Sequence, residues 1–186
     1  MASKTQVTIE DLYQTEGKAE LVNGEVVLTR PTGDEPNYAA AEIFVSLRSY
    51  ARKTKQGRAV TDNAGFRVNL PGRKSFSPEA AFFVGPRAGM KFFEGAPVFA
   101  AEVRSEQDSG IKADAELAAK RRDYFAAGTL VVWDVDLLGP DIVRVYRSTS
   151  PDQPAIYRRG DLAEAEPAVP GWTMPVNDLF EPKFRS

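Results

Sequence analysis

Val98-Phe99-Ala100-Ala101-Glu102-Val103, the helical pattern from Ile111 to Ala127, and Leu130-Val131-Val132-Trp133-Asp134-Val135 together decide the fold. Each apolar run has the length of a strand and reads as buried. The pattern between them reads as a helix that Gly128 stops in a left-handed cap. A strand, a helix and a strand in that order fit a right-handed crossover joining parallel strands. The first strand ends on an acid, Glu102, where a side chain of the core is expected.

Outward from this unit the signals stay regular. Thr8-Ile9-Glu10-Asp11 looks like a helix start, with Thr8 as cap and acids in the first turn, and the helix is expected to end near Gly17. Ala19-Glu20-Leu21-Val22 and Glu25-Val26-Val27-Leu28 flank Asn23-Gly24, a strong hairpin signal because both turn residues tolerate positive φ. Pro36 can occupy the first position of a longer helix, striped by Ala39, Ile43, Phe44, Leu47 and Tyr50 and ended by Gly57. Short strands follow at 59–61 and 66–68, then a turn at Pro71-Gly72 and a strand headed by Pro78-Glu79. Gly85 to Pro97 reads as a loop, and Ile142 to Tyr146 as a strand with one exposed face. From Pro154 onward irregular strands lead to a final turn over Val176 to Phe180. This mixed order predicts an α/β (α+β) fold, a central mixed sheet flanked by helices. The length suits one domain over 1–186.

The chain has no cysteine and no histidine, and both absences eliminate chemistry. Disulfides, thiolate nucleophiles and cysteine zinc sites are excluded, as are mechanisms that need an imidazole base. Carboxylate, lysine, tyrosine and water remain, and carboxylates prefer hard cations such as magnesium, manganese or calcium. The net charge of −2 advertises no global field for nucleic acid, although Arg48, Arg52, Lys53, Lys55 and Arg58 cluster, as do Arg73 with Lys74 and Arg121 with Arg122. No apolar stretch approaches the ~20 residues of a membrane span. Met1-Ala2-Ser3-Lys4-Thr5 lacks the apolar core of a signal peptide, so a cytoplasmic protein is expected.

Glu102 ends an apolar strand, where a carboxylate loses hydration unless it is paired or bound to metal. Residues two apart on a strand share a face, so Glu102 points with Ala100 and Arg104. Pairing with Arg104 or with Lys120 is the structural alternative. Glu79 follows Pro78, which enforces extended backbone before it, and heads the run Ala80-Ala81-Phe82-Phe83-Val84. An exposed acid at a strand start is its bland reading. Lys120 interrupts the apolar seam formed by Ala113, Leu117, Tyr124 and Ala127, and snorkelling would account for it. Glu20 reads as an exposed edge residue, Tyr124 as core with a satisfied hydroxyl, and Trp133 as core. Two acids at neighbouring strand ends and one ammonium form the minimal kit for metal-assisted phosphodiester hydrolysis.

The series Glu20-Leu21-Val22-Asn23-Gly24-Glu25, Pro78-Glu79, Glu102-Val103-Arg104-Ser105, Lys120 with Tyr124 and Gly128, and Trp133-Asp134-Val135-Asp136 resembles one bacterial family. That family is the Uma-type restriction endonuclease family, long classed as a domain of unknown function, within the PD-(D/E)XK nuclease superfamily. The resemblance runs from about Thr8 to Phe180. It implies a restriction endonuclease-like fold with an N-terminal helix and β-hairpin, and a DNA-cleaving site that uses Mg2+ or Mn2+. Carried over, Glu79 and Glu102 match the superfamily's two acids, and Lys120 matches the lysine supplied by the following helix. Arg104 stands where most of the superfamily keeps its lysine, and Glu20 matches the family's early glutamate. Glu79, Glu102 and the Val103 carbonyl would hold the metal. Two positions depart from the pattern: the usual Pro-Asp is Pro78-Glu79, and Asn37 or a neighbour replaces a histidine.

The expected function is therefore metal-dependent endonucleolytic hydrolysis of DNA, in a homodimer by superfamily habit. The second reading is a catalytically attenuated nuclease fold that serves as a DNA-binding or protein-interaction module.

Overall fold

A computed structural model of the chain describes residues 7–181. The N-terminal segment Met1–Thr5 used above therefore lies outside the described residues. In chain order the elements begin with α1 (Ile9–Leu12), β1 (Ala19–Val22), β2 (Glu25–Leu28), α2 (Asp34–Thr54), β3 (Arg58–Thr61) and β4 (Phe66–Arg67). Next come β5 (Ser75–Phe76), β6 (Ala80–Phe83), β7 (Phe93–Glu94), β8 (Phe99–Val103) and α3 (Ile111–Ala126). The chain continues with β9 (Val131–Val135), β10 (Val143–Arg147), β11 (Ser150–Tyr157), β12 (Leu162–Glu164) and β13 (Thr173–Pro175), then a 3-10 turn at Val176–Leu179.

Local chemistry explains most of these boundaries. The Thr8 N–H and hydroxyl both donate to the Asp11 carboxylate, at 2.7 and 3.0 Å, and fix the start of α1. That helix is a single turn and ends well before Gly17. Asn23 and Gly24 take φ 51° and 77°, so β1 and β2 pair directly across a two-residue turn. Pro36 sits two residues inside α2 and not at its first position. The exchange is harmless, because the first helical N–H groups have no partner within the helix. Lys55, at φ 62°, closes α2 two residues before Gly57.

Six strands form the central sheet in the order β11-β10-β9-β8-β6-β3. β8 and β9 run parallel, with Glu102 opposite Asp134, and α3 connects them; the other neighbours are antiparallel. The sheet is therefore mixed, as the sequence predicts. Alternation along each strand splits it into two faces. Phe99, Ala101, Val103, Trp133 and Val135 form one apolar layer with Ala39, Ile43 and Leu47 of α2. Ala81, Phe83, Ala100 and Val132 face the other way, with Tyr124 of α3 and with Phe66 and Phe76 of the small sheet β5-β4-β7. Glu102 and Glu79 lie on this second face by alternation. The stretch Gly85 to Pro97, read as loop, contains β7, whose Phe93 stacks on Phe66 with ring centroids 4.8 Å apart. Among the described residues no helix is long and apolar enough to cross a membrane.

Candidate active site

Antiparallel pairing of β6 with β8 sets Ala80 against Ala101. One residue further along, the same register sets Glu79 against Glu102 on one face of the sheet. Side chains so opposed lie about 5 Å apart at Cβ. The Glu79 side chain is only 12% exposed, so the reading as an exposed strand-start acid does not hold. The Val103 N–H donates to Glu79 Oε2 at 3.3 Å. A strand residue sends its N–H and its carbonyl to the same edge, so the Val103 carbonyl also faces the Glu79 side.

Lys120 reaches this corner from α3. Its Nζ lies 2.7 Å from Glu102 Oε2 and 2.9 Å from Glu20 Oε1, with the side chain 17% exposed. The ammonium is held between two carboxylates instead of snorkelling to water. One helical turn on, the Tyr124 hydroxyl donates to Glu102 Oε1 at 2.7 Å, while its ring stacks on Phe76 with centroids 4.0 Å apart. Glu20, read from its position as an exposed edge residue, is buried. Its Oε1 accepts the Ser77 N–H at 2.8 Å, and its Oε2 lies 2.5 Å from the Arg73 guanidinium. Arg73 also donates to Asp123 at 2.8 Å, which ties β1 to α3.

Burial and crowding set the charge states. Burial pushes the Glu102 carboxyl up to about 7; Lys120 opposes the rise, and Glu79 and Glu20 add to it. Burial favours loss of the Lys120 proton, yet Glu102, Glu20 and Glu79 outweigh it and hold the ammonium above the ordinary lysine value. Burial would also raise Glu20, but Lys120 and Arg73 keep its carboxyl below the usual range. Tyr124 is raised well above a free phenol by burial and then by Glu102. Lys120 is thus a fixed cation and a hydrogen-bond donor, unsuited to act as a base.

Arg104 is turned elsewhere. Its Nε and Nη2 donate to the two oxygens of Asp134 at 2.7 and 2.8 Å, and its Nη1 lies 2.6 Å from Asp114. It shares the face of Glu102 but does not pair with it, so the partner of Glu102 is Lys120. Arg104 instead lines a cavity of about 530 Å³ in which Arg121 and Arg144 are offset by Asp108, Asp114, Asp134 and Asp136. The Arg121 guanidinium lies 3.5 Å from the Tyr146 ring centroid.

The model of the Uma2 family, described as "Putative restriction endonuclease", matches residues 7–177, which include every residue of this corner. The chain belongs to the Uma2 family. A crystal structure from Anabaena variabilis, described as that of a putative nuclease, superposes with a TM-score of 0.71. It covers 94% of this chain and 97% of its own at 18% identity, so the two share a fold. No curated protein matches this chain.

Within the Uma2 fold two cations complete the corner that sequence reasoning did not find. Lys18 lies 2.8 Å from Glu79 Oε1 and 2.6 Å from Asp62 Oδ1. Arg73 was visible only as half of a basic pair with Lys74, on what read as a surface turn. Neither carries a local signal, since the partners lie 61 and 53 positions away in sequence. Among the described residues no group of three or more acids gathers closely enough to hold a metal unaided.

Proposed function

We propose that this chain is a nuclease that hydrolyses DNA phosphodiester bonds at the corner framed by Glu79, Glu102 and Lys120, with a divalent cation as cofactor. The observation that carries the reading is the cross-strand opposition of Glu79 and Glu102 with the Lys120 ammonium 2.7 Å from the second acid. Membership of a family described as "Putative restriction endonuclease" supports it.

The donor set suits a hard cation. Each carboxylate oxygen of Glu79 and Glu102 has one short contact and so keeps a lone pair uncommitted. Two acids, one carbonyl and water make the oxygen-rich, partly hydrated shell that magnesium and manganese favour. Glu79, Glu102 and the Val103 carbonyl would hold the ion, which when bound supplies charge neutralisation and a more acidic water.

The chain's own groups do the rest. Among the described residues the Lys120 ammonium contacts the carboxylates Glu102 and Glu20, which leaves its third N–H for a phosphate oxygen or the attacking water. As the phosphate gains charge, an ammonium held protonated by its carboxylate neighbours would stabilise it without rearranging. Glu20 is pinned by Arg73 and the Ser77 N–H, and it positions Lys120.

Nicking of supercoiled plasmid in Mn2+ tests the proposal. Wild-type protein is expected to nick, and Glu102→Ala and Lys120→Ala are expected to lose at least about 100-fold in rate. Salt-sensitive DNA binding with no nicking in either Mn2+ or Mg2+ would instead make the fold a binding module.

A further inference from the structure

Each ammonium of the corner is shared between two carboxylates of different kinds. Lys120 contacts Glu102, which faces the opposed acid pair, and Glu20, which is anchored outside it by Arg73 and Ser77. Lys18 repeats the arrangement on the other strand: it contacts Glu79, the second member of the pair, and Asp62, which lies beyond β3. Asp62 is half exposed, and its Oδ1 also accepts the Asn63 N–H at 2.7 Å. The Lys18 carbonyl accepts the Thr29 N–H at 2.9 Å, which fixes its backbone at the open end of the hairpin. So the stem of Lys18 is tethered while its ammonium has two docks.

We propose that Lys18 is a positioning residue that competes with the metal for Glu79, and that Asp62 is the dock onto which its ammonium withdraws when the metal binds. This inference rests on the reading of Glu79 and Glu102 as metal ligands and adds the groups that regulate access to them. The physical ground is that a dication held by Glu79 would lie close to an ammonium 2.8 Å from the same carboxylate, and two cations so placed repel strongly where water is scarce. The Lys18 side chain is only 11% exposed, so water screens that repulsion little. On Asp62, whose side chain is 43% exposed, the ammonium keeps a 2.6 Å partner and regains hydration. Burial favours loss of the Lys18 proton, but Glu79 and Asp62 together outweigh it.

The test is Mn2+ affinity of the full chain, measured by calorimetry for a double-mutant cycle. Lys18→Met is expected to tighten binding by about 5- to 100-fold, because the competitor is gone. Asp62→Asn is expected to weaken binding by a similar factor, because Lys18 is left with Glu79 alone. In the double variant the Asp62 effect should vanish and the affinity should equal that of Lys18→Met. Weaker or unchanged binding by Lys18→Met overturns the proposal. So does an Asp62→Asn effect of the same size in both backgrounds, which would mark simple loss of negative charge. If Lys18→Met does not fold, Asp62→Asn on its exposed turn still decides, and unchanged affinity there overturns the proposal. Wild-type binding that Glu102→Ala abolishes, with no effect from Lys18, removes this inference alone. No Mn2+ binding by any variant removes the metal reading and this inference with it.

Discussion

The two faces of the central sheet are built on opposite terms. On one, α2 lays Ala39, Ala40, Ile43 and Leu47 onto Phe99, Ala101 and Trp133, and the layer is apolar throughout. On the other, α3 buries only Tyr124 in 16 residues and brings Lys120 onto two carboxylates. The first face gains stability from area removed from water. The second spends helix length on placing charge, and it remains viable because every buried charge has a partner. Among the described residues no buried side-chain polar atom lacks a hydrogen bond. The lesson is a division of labour: one helix packs the core and the other places buried charge.

The division breaks most visibly at Leu47, which is wholly buried under α2. Leu47→Ala should cost about 2–5 kcal/mol in urea unfolding while the folded fraction keeps its Mn2+ affinity. A loss below about 1 kcal/mol would show that the apolar face is not the main source of stability.

An intermediate effect comes from pH on the metal-free protein. Glu102 has a folded pKa of about 7, above the ordinary 4.5, so between those values the folded state binds a proton that the unfolded chain has lost. Stability should therefore rise as pH falls from about 7.5 to about 5, by on the order of 1 kcal/mol per unit, and Glu102→Gln should flatten the rise. Glu20 acts in the opposite sense: its folded pKa is lowered, so its contribution is lost as pH falls further, through that lowered value. A wild-type stability that instead falls over the upper window would mean that Glu102 is held ionised.

The smallest effect sharpens the contrast. Tyr124→Phe keeps the stack on Phe76 and removes only the donor to Glu102 Oε1. It should cost about 1 kcal/mol in a thermal melt. A loss as large as that of Leu47→Ala would mean that α3 also carries the core.

Much of this was legible in order. The strand, helix and strand around Glu102 could be read because buried strands and a capped helix leave local marks, and β8 and β9 do pair in parallel around α3. The hairpin was legible for the same reason, since positive φ at Asn23 and Gly24 is a local demand. Glu102 and the misplaced Lys120 stood out because each breaks an apolar pattern, and Glu79 because it follows a proline and heads an apolar run. Arg104 was harder: alternation gave its face, but its partner Asp134 sits on another strand and draws it away from Glu102.

By itself, then, the sequence determined the elements, the mixed sheet and the anomalous charges, because periodicity and turn chemistry act between near neighbours. Only the tertiary structure decided which charges meet. Lys18 joins Glu79 and Arg73 joins Glu20 across many intervening residues, and ion pairing depends on distance in space, of which residue order carries no record.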